Sequence, residues 1–141
     1  MDSIRIVIKQ EPVAKGRPRT SYRNGVVRTY TPQKTQDAQE YIRAKLLKHR
    51  DKMFGEHVPV RLVITFYRTK SKWLKKSETI PVRKPDVNNF LSLALDSMSG
   101  NLFCDDAQVS QVLMKKRWTN REYGYITMKL TRDVLSKSED N

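Results

Sequence analysis

The chain has 141 residues, enough for one domain with a modest core. Its 28 Lys and Arg against 15 Asp and Glu leave a formal net charge of +13, which points to a polyanionic partner and foremost to nucleic acid. A lone cysteine excludes an intramolecular disulfide, and no apolar run approaches the ~20 residues that span a bilayer. The expectation is a cytoplasmic protein with no membrane attachment.

Residues 3–9 alternate, with Ile4, Ile6 and Ile8 on one side, which predicts a half-buried strand. QEPVAKGRPR follows at 10–19, and its two prolines disfavour helix and central strand alike. In an extended segment Lys15, Arg17 and Arg19 project to one side, as a row suited to phosphates. Asn24-Gly25 between short β-formers predicts a hairpin over 22–30 with a type I′ turn, decorated by Arg23 and Arg28. Thr31-Pro32 reads as a cap followed by a first helical residue, opening a helix over about 32–50. Ala38, Tyr41, Ile42, Lys45 (through its aliphatic stem), Leu46 and His49 would share one face.

A strand is predicted over 58–68, with Val60, Leu62, Ile64 and Phe66 alternating inward. Residues 69–84 form a basic loop around Trp73, which either pins the loop to the core, the commoner use, or packs on an exposed base. RKPDVNNFLSLALDSMSGNLFCDDAQV, residues 83–109, is the stretch that organises the rest. Val87, Phe90, Leu91, Ala94, Leu95 and Met98 give one apolar helical stripe, and Ser99-Gly100 ends it. Asp86 precedes that helix, Asn88 sits in its first turn, and Asp105-Asp106 follow the turn. If the chain doubles back along the helix, these carboxylates gather near Asp86. Adjacent carboxylates repel unless a cation compensates, and oxygen donors suit Mg²⁺ or Mn²⁺. Read singly, Asp86 is an ordinary N-cap and Asp105-Asp106 a solvated turn.

Two further strands, 107–118 and 122–130, are expected to join around Thr119-Asn120, placing Lys115, Lys116 and Arg117 on a hairpin. The order of elements describes one α+β domain over 1–135, a mixed sheet with two main helices, then a polar tail at 136–141.

The run KPDVNNFLSLALDSMSGNLFCDDAQV, with PVAKGRPR and YTPQKT before it, resembles the RusA family of Holliday junction resolvases, common in phages and prophages. The similarity runs from about Val7 to about Leu130. It implies a Mg²⁺-dependent homodimeric endonuclease that cuts four-way DNA junctions, with Mn²⁺ able to substitute. Its acidic residues map onto Asp86, Asn88 and Asp106 as catalytic and metal-holding positions, with Asp105 beside them. DNA contacts would come from Lys15, Arg17, Arg19, Arg23, Arg28, Lys84, Lys115 and Lys116. Two positions depart from the family pattern. Asn88 stands where a second Asp is usual, and Ser92 where some members have Lys. A neutral amide at 88 implies weak or absent cleavage with junction binding intact. The alternatives are a non-catalytic DNA- or RNA-binding protein on the same scaffold, and a nuclease without junction preference.

Overall fold

The computed structural model describes residues 3–136, 138 and 139. Of the expected tail at 136–141, Lys137, Asp140 and Asn141 lie outside the described residues. The architecture is α+β: strands β1 (Ser3–Ile8), β2 (Arg19–Arg23) and β3 (Val26–Tyr30), helix α1 (Gln33–Leu46), strand β4 (Val60–Arg68), helix α2 (Val87–Met98), then β5 (Val109–Trp118) and β6 (Tyr125–Arg132). A four-stranded sheet runs in the order β1-β6-β4-β5, and β2-β3 is a separate ribbon.

Alternation builds the sheet as expected. Ile4, Ile6 and Ile8 of β1 and Val60, Leu62, Ile64 and Phe66 of β4 are buried together with Ile126, Met128 and Leu130 of β6. Both helices add their apolar residues to the same core, through Ala38, Ile42 and Leu46 of α1 and Phe90, Leu93, Ala94 and Met98 of α2. Burial of this apolar surface is the main driving force for the arrangement.

The expected hairpin between β5 and β6 does not form. β4 lies between them, antiparallel to β6 and parallel to β5. Parallel neighbours need a long crossover, and α2 supplies it, so β4-α2-β5 is a βαβ unit. β5 is thereby left at the sheet edge, where Ser110, Gln111, Val112 and Leu113 are exposed. Register also separates two neighbouring lysines. Lys116 lies opposite Phe66 on the helix side of the sheet, and Lys115 lies opposite Thr65 on the other side.

The helices differ from expectation in detail. Pro32 itself occupies the N-cap of α1, with ψ 143°, and no side chain caps the helix. Thr31 contributes its carbonyl, which accepts from Gln36 Nε2 at 2.7 Å. The α-helix ends at Leu46 and tightens into a 3₁₀ helix over Leu47–Lys52. In α2 the buried face is rotated from the expected stripe. Phe90, Leu93, Ala94, Ser97 and Met98 are buried, while Val87 is 44% exposed. Ser97 tolerates burial because its hydroxyl donates to the Leu93 carbonyl at 2.9 Å.

Candidate metal and nucleic-acid site

Asp86 occupies the N-cap of α2 with extended backbone, and its carbonyl accepts from the N–H groups of Asn89 and Phe90 at 3.1 and 3.4 Å. Its carboxylate makes no capping hydrogen bond, so the ordinary use of Asp at this position is not the one taken. Asp86 and Asn88 are both exposed. Immediately before them, across the cis Lys84-Pro85 peptide, Lys116 Nζ donates to the carbonyls of Arg83 and Pro85, each at 3.1 Å. The far end of β5 thus ties down the segment that presents Asp86.

Asp105 and Asp106 stand at the other end of the helix. After Met98 the chain turns at once. Gly100 adopts φ 82°, and the N–H groups of Asn101 and Leu102 both donate to the Met98 carbonyl at 2.9 Å. A positive φ suits glycine, which has no Cβ to clash. Asp105 then caps a short 3₁₀ helix, Asp106–Gln108, accepting from the Ala107 N–H at 3.2 Å. Gln108 completes a capping box. Its Oε1 accepts from the N–H groups of Cys104 and Asp105 at 2.9 and 3.0 Å, while its Nε2 donates to the carbonyls of Gly55 and Val58 at 2.7 and 3.1 Å.

The two carboxylates titrate as a pair. A side-chain hydrogen bond with Asp105 pushes the Asp106 carboxyl above the usual carboxylate range, helped by desolvation and by the negative charges of Asp105 and Asp96. The Ala107 N–H holds Asp105 below that range, and the bond to Asp106 adds to the effect. Close like charges disfavour the second ionisation, and this sets the two shifts in opposite directions.

Doubling back does not bring Asp105 and Asp106 to Asp86. α2 has 12 residues, about 18 Å of helix, and the tight turn keeps the pair at its C-terminal end beside Asp96. Among the described residues no three His, Cys, Asp or Glu side chains gather into a metal-holding group. The donor type suits a hard divalent cation, but one chain alone places Asp86 with Asn88 at one end of α2 and Asp105 with Asp106 at the other.

The expected cations are placed differently from one another. Lys15 is bound rather than free: its N–H donates to the Asn89 carbonyl at 3.0 Å and its Nζ pairs with Asp96 at 2.8 Å. Arg17, Arg19, Arg23, Arg28, Lys84 and Lys115 are exposed. Trp73 does not pin its loop to the core. It is 85% exposed, with Lys72 Nζ 5.2 Å from its ring centroid, as a loop of solvated lysines leaves it no apolar surface to cover.

Two residues that organise the site were not foreseen. Asp96 holds Lys15 by its side chain, and its carbonyl accepts from Arg43 Nη2 at 3.0 Å. Its place at i+10 from Asp86, on the polar side of the helix, was the available signal. Gln108 looked like an ordinary polar residue, and only its spacing of three from Asp105 hinted at a capping box.

Acidic groups at both ends of a helix, in a cationic α+β chain, define a candidate phosphodiester-processing protein. The comparisons agree: the family described as Endodeoxyribonuclease RusA matches residues 9–129. The chain belongs to that family, whose nucleases are generally dependent on a divalent metal. It is also similar to "Uncharacterized protein YqaN" of Bacillus subtilis (strain 168), with 32% identity over 126 residues, covering 82% of this chain and 88% of the relative.

Proposed function

We propose that the protein is a Mg²⁺-dependent, structure-selective endonuclease that resolves four-way DNA junctions as a homodimer. The observation that carries this reading is the division of the acidic residues between the two ends of α2, in a chain whose family acts on DNA. Asp106 opens the short 3₁₀ helix that leads into β5, and Lys116 near the end of β5 holds the segment before Asp86. Among the described residues no strand pairs with the outer edge of β5. If two copies join antiparallel along β5, the start of one strand meets the end of the other. The partner's Asp106 would then stand beside Asp86 and Asn88. Two such composite sites, related by a two-fold axis, suit paired cuts in opposing strands.

Asp86, Asn88 and the partner's Asp106 would hold the cation, which supplies acidification of a bound water and offsets charge on the reacting phosphate. Asp105 would fix Asp106 through the cap, and Lys116 would fix Asp86 through the carbonyls before it. Arg17, Arg19, Arg23 and Arg28, with Lys84, would bind backbone phosphates, which bare carboxylates repel. Asn88 favours a second reading, a junction binder that does not cut, because its amide oxygen brings no charge to the cation.

Single-turnover incubation of a labelled junction and a duplex of the same sequence, with and without Mg²⁺, tests the proposal. Symmetric nicks in the junction alone, requiring Mg²⁺, weak in the wild type and stronger in Asn88→Asp, are the expected result. Tight junction binding without cutting, by wild type and by Asn88→Asp alike, would leave the non-catalytic binder.

A further inference from the structure

The β2-β3 ribbon stands clear of the core, with every residue of both strands exposed. Its turn is the one expected, with Asn24 at φ 52° and Gly25 at φ 76°. An isolated two-stranded hairpin is marginally stable in water, so an exposed ribbon of this kind suits a covering partner. Its root is fixed. The Gly16 N–H donates to Thr35 Oγ1 at 2.9 Å, and a Cβ at Gly16 would lie 2.9 Å from Pro32 Cγ. The neighbouring Lys15 N–H is bound to Asn89, so the ribbon departs beside the end of α2 that carries Asp86 and Asn88.

Register sorts the ribbon into two unlike faces. Arg19 lies opposite Tyr30, Ser21 opposite Arg28, and Arg23 opposite Val26. Because side chains alternate, these pairs share one face, and it carries all of the ribbon's arginines. Thr20 with Thr29 and Tyr22 with Val27 form the other face. That face is uncharged, and Tyr22 and Val27 are 76% and 62% exposed. From residue 12 to residue 36 the sequence holds six Lys and Arg and no Asp or Glu. The charge fits a polyanion, and the Tyr22-Val27 pair fits the face of a base.

We propose that this ribbon distinguishes branched DNA from duplex. Its arginine face follows the phosphate backbone, and Tyr22 with Val27 packs on a base pair opened at the branch point. Inside a continuous duplex both faces of each base pair are already stacked, and opening a step costs free energy. At a branch, less stacking opposes the insertion, and aromatic stacking accepts any base. This role rests on the junction-nuclease reading above.

The test is equilibrium binding of wild type, Tyr22→Ala, Tyr22→Phe and Arg23→Gln with Arg28→Gln, to a junction and to a duplex, with 2-aminopurine at the branch. Tyr22→Ala should lose about tenfold in junction affinity, keep its duplex affinity, and abolish the 2-aminopurine response. Tyr22→Phe should restore all three, because the ring and not the hydroxyl stacks. The double Arg variant should weaken both ligands and flatten the salt dependence. Unchanged junction binding by Tyr22→Ala, or equal losses on junction and duplex, would overturn the ribbon's role and leave the nuclease reading standing. A wild type that prefers duplex or shows no preference would overturn both.

Discussion

At Asp86 the absence of a side-chain cap separates function from stability. Capping carboxylates typically contribute about 1 kcal/mol, whereas this one forms no such bond. Asp86→Ala should therefore leave the thermal midpoint near that of wild type and abolish cleavage. Junction binding should be equal or tighter, since a negative charge facing phosphate is removed. A large drop in melting temperature would return Asp86 to a structural role. Asn88, two residues on, brings a neutral oxygen where a carboxylate would add charge. Asn88→Asp should raise single-turnover cleavage at limiting Mg²⁺ by at least about tenfold, equivalent to ~1.4 kcal/mol in barrier. Equal rates at every Mg²⁺ concentration would mean that residue 88 does not touch the metal. The paired carboxyls add a pH dependence. Asp106 titrates above the usual carboxylate range, and a bound cation requires it ionised. Cation affinity measured by calorimetry should accordingly weaken as pH falls through that raised value, with proton uptake on release.

At the scale of the elements, the turn after α2 depends on Gln108, whose amide joins residues 104 and 105 to the carbonyls of Gly55 and Val58. Gln108→Ala should cost about 1–3 kcal/mol in urea unfolding, from partners left unmade, and should slow cleavage by releasing Asp106. The GRPR segment gives a separate expectation. Arg17→Ala with Arg19→Ala should reduce the salt slope of DNA binding by roughly 1–2, one contact per arginine. An unchanged slope would mean that the segment does not meet DNA. Period-two alternation in β1 and β4, the Asn-Gly turn and the existence of α2 were all legible in the sequence, because local chemistry decides them. The order of the strands was not. Nothing within residues 107–130 shows that β4 will lie between β5 and β6, since that choice follows from how α2 packs across the sheet. The rotation of α2 was hidden for a similar reason. Ser97 is buried through a bond to its own helix, so polarity misreported its environment.

At the scale of the whole molecule, candidate acidic residues were legible in the sequence, but their distribution was not. A motif written in one run invites the expectation of one cluster, and about 18 Å of helix separates its halves. Two copies paired along the β5 edge, as proposed above, would reunite them. Mixing two inactive variants tests this pairing most directly. Asp86→Ala and Asp106→Ala, each in an Asn88→Asp background, are combined, unfolded and refolded together, and assayed on a labelled four-way junction with Mg²⁺. If the sites are composite, a mixed dimer contains one site with both aspartates intact, and nicking of one strand returns although neither parent cuts. If each chain carries its own complete site, every site in the mixture lacks one aspartate, and the mixture stays as inactive as its parents.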